Sequence, residues 1–189
     1  MWSVVWRLVI AVALLAPALP VHSLRADSPA VPDFSGRWKF NDVKSANLAR
    51  QSGGSVNAIL GGECTIVQTP DTLTQYIVAG ALKVEAAYRL DGKPSENQSP
   101  GPPGQGPILI VSTTQWMADV LHITTKSESV LNGVKVPVES LRRIWLTTAG
   151  DLAVERKGTP ALVVSAGWAV YQREAAGPAS LTRYNEKRP

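Results

Sequence analysis

Between Phe34 and Phe40 apolar and polar positions alternate: Phe34, Gly36, Trp38 and Phe40 fall on one side of an extended chain, Ser35, Arg37 and Lys39 on the other. Strand side chains alternate between faces, so this segment is predicted to be a strand with one face in a core and one in water. The same period of two runs through Leu82 to Leu90, which sets Leu82, Val84, Ala86, Tyr88 and Leu90 against Lys83, Glu85, Ala87 and Arg89. Cys64 to Thr69 and Thr72 to Val78 are β-rich runs parted by Pro70 and Asp71, residues that preset a tight turn, and are predicted to form a hairpin. Ile108 to Trp116, Val120 to Lys126, Val134 to Thr147, Leu152 to Lys157 and Ala166 to Arg173 complete the set. Asn132-Gly133 marks another hairpin, because both central positions of a type I′ turn need positive φ, and Pro137 places an edge, a bulge or a late ladder start in the strand that follows.

Two segments break the alternation. Asp42 to Arg50 is rich in helix formers, with Asn41 or Asp42 able to cap it, and is predicted to be one short helix after the first strand. Lys93 to Pro107 is almost devoid of apolar residues and is predicted to be a long mobile loop. No helices separate the later strands, which excludes parallel crossovers. Hairpin order with eight or nine strands favours closure, since closing a sheet removes its exposed edges. The predicted fold is an all-β, up-and-down antiparallel barrel of about eight strands spanning residues 27–173, with a polar tail over 174–189.

The first 26 residues follow a different logic. Arg7 precedes the apolar run Leu8 to Leu15, and Pro17 and Pro20 interrupt its continuation, as in a cleaved signal peptide and not in a bilayer span. A secreted or periplasmic location follows as an expectation, with no transmembrane segment after processing. Removing residues 1–26 takes away Arg7 and Arg25 and no acidic residue, so the formal charge falls from +4 to +2. That near balance, without a basic block, gives no nucleic-acid footprint. Strands such as Phe34 to Phe40 are too short for a membrane barrel.

Candidate chemistry is sparse. Cys64 is the one cysteine of the chain, so no internal disulfide forms; it is either a buried core thiol or one that bridges two chains or reacts. After processing, His122 is the one histidine; it lies opposite Leu121 and Ile123, on the wet face. No two-histidine metal site, phosphate loop, dinucleotide loop or nucleophile elbow occurs, so no catalytic residue, metal or cofactor is assigned. Four tryptophans remain: Trp38, Trp116, Trp145 and Trp168. They either pack the core or, for Trp116 and Trp145, frame the mouth of an apolar cavity. Arg142 and Arg143 are adjacent and so face opposite ways, which turns one of them inward. An inward arginine needs a partner: Glu139, Glu155 or the carboxylate of a ligand. Trp116, Trp145, Arg142, Arg143 and the inward Tyr88 are therefore the candidate ligand-binding residues.

Gly36-Arg37-Trp38, preceded by Pro32-Asp33 and followed by a meander, resembles the G-x-W signature of lipocalin and wider calycin barrels. The chain is similar over about residues 32 to 173 to secreted lipocalin-like proteins of bacteria, through Phe34 to Lys39, Lys44-Ser45 and the aromatic strand Ala166 to Arg173. The resemblance implies that Gly36 allows close packing and that Trp38 closes the base of the barrel beneath a basic residue, Arg173 or in its place Arg156. It also implies a small apolar or amphipathic ligand. The alternative is a plugged barrel that acts through its surface as an extracytoplasmic structural or interaction module.

Overall fold

The computed structural model describes residues 31–79, 82–99, 106–131, 133–159, 164 and 166–175. The expected signal segment, the Gly101 to Gly104 run and the tail beyond residue 175 lie outside the described residues. Ten strands and one helix follow one another as β1 (Gly36–Phe40), α1 (Asp42–Ser52), β2 (Glu63–Gln68), β3 (Thr72–Ala79), β4 (Leu82–Arg89), β5 (Ser95–Ser99), β6 (Ile108–Met117), β7 (Val120–Leu131), β8 (Val134–Leu146), β9 (Leu152–Thr159) and β10 (Gly167–Arg173). They form one antiparallel sheet in the order β4-β3-β2-β1-β10-β9-β8-β7-β6-β5, which curls into a nearly closed barrel.

The count is ten, not about eight, and part of the difference is β5. This strand lies within the segment expected to be a mobile loop, and pairs Ser95 to Ser99 against Ser112 to Ile108. Its text, Ser-Glu-Asn-Gln-Ser, has no apolar residue, so hydrophobic alternation gives no sign of it. Side chains join it across the seam to β4. The Asn97 carboxamide takes the Ala87 N–H at 2.8 Å and donates to the Ala87 carbonyl at 3.0 Å, as a strand's own peptide group would. Ser95 Oγ accepts from the Arg89 N–H at 2.7 Å, and the Thr114 hydroxyl donates to the Arg89 carbonyl.

Alternation decides the two sides of the wall. Trp38, Cys64, Ile66, Leu73, Leu121, Ile144, Leu152, Val154 and Tyr171 point inward and are buried; each such side chain contributes roughly 1.5–3 kcal/mol through burial. Leu60, from the loop before β2, completes this core, and its N–H donates to the Tyr171 hydroxyl at 2.7 Å. The helix lies on the outer wall over β10. Its N-cap is Asn41, whose side chain accepts from the Lys44 N–H, and Ser45 Oγ accepts from the Val170 N–H at 2.8 Å. Lys44 ties the helix to Asp151, at the turn before β9, at 2.6 Å. Gly54, just after the helix, lies against Trp168; a Cβ there would stand 2.4 Å from the ring, so only glycine fits. The β7–β8 hairpin turns through two residues, with Gly133 at φ 79°. No described helix is long and apolar enough to cross a membrane.

Candidate functional site

Arg142 is the inward member of the Arg142-Arg143 pair. Ile144, two residues along β8, is fully buried in the core, and alternation puts Arg142 on the same face. Its Nη1 donates to Gln75 Oε1 at 3.1 Å and its Nη2 to the Tyr88 hydroxyl at 2.6 Å, with the guanidinium carbon 5.4 Å from the Tyr88 ring centroid. Both partners come from the opposite wall, β3 and β4. Directly beside Arg142 on β9 stands Arg156, two positions beyond the buried Val154 and so also inward. Like charges at facing positions of neighbouring strands are destabilising. Burial, and then the charge of Arg142, draws Arg156 below its ordinary value, while the Tyr171 phenol opposes the shift.

Gln75 is fully buried, and its Nε2 has no hydrogen-bond partner among the described residues. Cys64, inward on β2, is buried; desolvation pushes its thiol up to about 12, against a smaller opposing pull from Arg142. Burial also raises the Tyr171 phenol. The strand carboxylates Glu63, Glu85, Glu96, Glu128, Glu139 and Glu155 all occupy the outward phase of the ladder.

The other candidates divide between the two faces. Arg143 is outward and pairs with Glu155, which Lys157 also approaches at 2.9 Å. Glu155 is therefore the partner of Arg143, and neither it nor Glu139 reaches the inward arginine. Trp145 is outward too, edge-on to Trp168 at 6.0 Å, so it frames no interior mouth. Trp116 points inward but stacks on Phe34 at 5.6 Å, at the end of the barrel that holds Trp38. There Trp38 Nε1 donates to the Phe34 carbonyl at 2.9 Å, and the Arg173 guanidinium lies 4.6 Å from the Trp38 ring centroid. Gly36, at φ 139°, holds a backbone conformation that residues with side chains rarely adopt, and the Arg173 side chain lies against it. Arg156, the other base candidate, sits beside Arg142 instead. His122 is outward opposite Arg143, and is lowered first by burial and then by that charge.

Gln75 escaped the sequence reading, and Arg156 was expected at the barrel base and not beside Arg142. The signal was a polar residue in an apolar phase: Gln75 lies between Leu73 and Ile77, and Arg156 follows Leu152 and Val154. Two open grooves of about 590 and 750 Å³ run along the β6–β9 wall and share Lys126 and Ser127; Arg142, Gln75 and Tyr88 line neither. Among the described residues no three His, Cys, Asp or Glu side chains gather to hold a metal ion. No protein-family profile matches the chain, and no curated protein matches it.

Proposed function

We propose that this protein is an exported lipocalin-like barrel that binds a small amphipathic molecule, with an anionic head on the inner wall at Arg142. The observation that carries the reading is the meeting of Arg142 and Arg156 on one inward row beside a buried, half-satisfied Gln75. A buried charge is retained when it is paired, and a guanidinium matches a carboxylate in geometry as well as charge. The partners of Arg142, Gln75 and Tyr88, are both uncharged and the strand carboxylates are turned outward, so an incoming anion is the natural counter-charge for Arg142. The apolar side chains around it suit a hydrocarbon body, in the way that ligand sites combine an apolar lining with a few placed polar groups. Export is supported by the apolar segment after Arg7.

The test is native mass spectrometry of protein purified from its own host, with organic extraction of whatever leaves on denaturation. A stoichiometric amphipathic acid is the expected result, and Arg142→Met is expected to weaken its binding by about tenfold or more. Bare protein that takes up no member of a lipid panel would sink the proposal. That outcome would favour a plugged barrel acting as an extracytoplasmic interaction module, a reading that draws on the dense packing of Trp38, Leu73, Leu121, Ile144 and Leu152.

A further inference from the structure

We infer that Gln75 is the specificity-determining residue of the inner wall: its carboxamide N–H₂ is held ready for a second acceptor atom on the ligand, so the site selects a carboxylate over a neutral head of the same length. The inference rests on the ligand-binding reading above and sharpens it to a head-group class. The orientation of the amide follows from chemistry. An arginine only donates, so the Gln75 atom that meets Arg142 Nη1 at 3.1 Å is the oxygen, and the nitrogen faces away. That nitrogen is buried and has no partner among the described residues, while Gln75 as a whole is inaccessible to solvent.

An unsatisfied buried donor costs free energy that an acceptor brought by a ligand recovers, and a ligand without that acceptor leaves the cost standing. The neighbouring groups push the same way. Arg142 donates only, and Tyr88 already accepts from Arg142 Nη2, which leaves its own hydroxyl proton to be given elsewhere. Arg142, Gln75 and Tyr88 thus all have donor hydrogens left to give. A carboxylate has two acceptor oxygens and no proton, one oxygen for the guanidinium and one for Gln75. A primary alcohol has a single oxygen, and a primary amide brings donors of its own.

The experiment compares three probes of one chain length, laurate, 1-dodecanol and lauramide, by calorimetric titration of the full-length processed chain at neutral pH. Laurate is expected to bind at least about tenfold more tightly than either neutral probe. Gln75→Glu keeps the shape and places a carboxylate against Arg142; it is expected to abolish laurate binding and to weaken dodecanol binding far less. Gln75→Met is expected to erase the preference for laurate. The side-chain N–H₂ resonances of Gln75 should shift on adding laurate and stay put with dodecanol, a readout that a merely structural glutamine would not show. Undiminished laurate binding by Gln75→Glu overturns the inference and leaves the ligand-binding reading in place; equal binding of laurate and dodecanol overturns the inference together with the anionic head at Arg142, leaving only the binding of an amphipathic molecule. Binding of none of the three probes to the unaltered chain removes both.

Discussion

Cys64 shows how far one side chain's surroundings set its chemistry. Desolvation holds the folded thiol at about 12 against 9.0 for a free thiol, so at pH 8 the native protein should resist iodoacetamide and the urea-unfolded chain should react at once. The same shift ties stability to pH. A folded value above the unfolded one means that the native state keeps its proton longer, so the contribution is complete below pH 9 and is lost as pH rises towards 12. Tyr171 is raised in the same sense, which adds to the alkaline loss. The urea midpoint should therefore fall above pH 9, and Cys64→Ala should flatten that fall; a midpoint unchanged up to pH 11 would refute the assignment. Trp38 is the second test at this scale. It is almost fully buried, its Nε1 is satisfied by Phe34 and Arg173 covers its ring, so Trp38→Ala should cost about 3–5 kcal/mol by denaturant titration. A cost below about 0.5 kcal/mol would mean that the ring holds nothing together.

Between elements, the weakest joint is the seam from β4 to β5, where two side chains and a carboxamide stand in for a ladder. Asn97→Ala removes both bonds to Ala87 and is expected to cost about 1–2 kcal/mol, with hydrogen exchange at the Ala87 amide accelerated well beyond that of its neighbours in β3. Exchange at Ala87 unchanged by the substitution would show that the carboxamide is no latch. The seam also marks the limit of what was legible. Nine of the strands were readable because each either alternates in hydrophobicity or ends on a turn residue such as Pro70 or Gly133. β5 was not, since a strand of Ser, Glu, Asn and Gln is specified by a distant edge and not by its own text. β7 overran its predicted end at Lys126 for a related reason: Ser127 to Leu131 extend because they pair with β8 across a two-residue turn. At the site, alternation announced that one of Arg142 and Arg143 faces inward, but could not say which, nor that Gln75, 67 residues away, would meet it. Such cross-barrel partners depend on closure, which no local pattern encodes.

Closure is a property of the whole chain, and it passes through β10. The first strand and the last are neighbours in the sheet: β10 lies between β1 and β9, pairing Trp38 with Arg173 and Ala169 with Val154. The helix has its seat on the outer side of this same strand through Ser45 and Val170, and the core takes Ala169 and Tyr171 from its inner side. Without β10 the sheet would open between β1 and β9, exposing two new edges and the apolar side chains that β10 covers, while α1 would lose what it packs against. Most of the barrel's order can therefore form only when the last strand arrives. A chain ending at Ala166 should consequently lack a cooperative unfolding transition and bind a hydrophobic dye at low denaturant, whereas strands joined only to their sequence neighbours would lose stability in proportion to the residues removed. A sharp transition in the shortened chain, with near-ultraviolet circular dichroism intact, would show that the meander β2 to β9 is self-sufficient and that β10 is an accessory. The inner row of Arg142 and Arg156 offers an independent check, because Arg142 meets Gln75 and Tyr88 only when the wall carrying β3 and β4 is brought round opposite β8 and β9. Loss of closure should thus break the contacts of Arg142 with Gln75 and Tyr88 and remove cooperativity together.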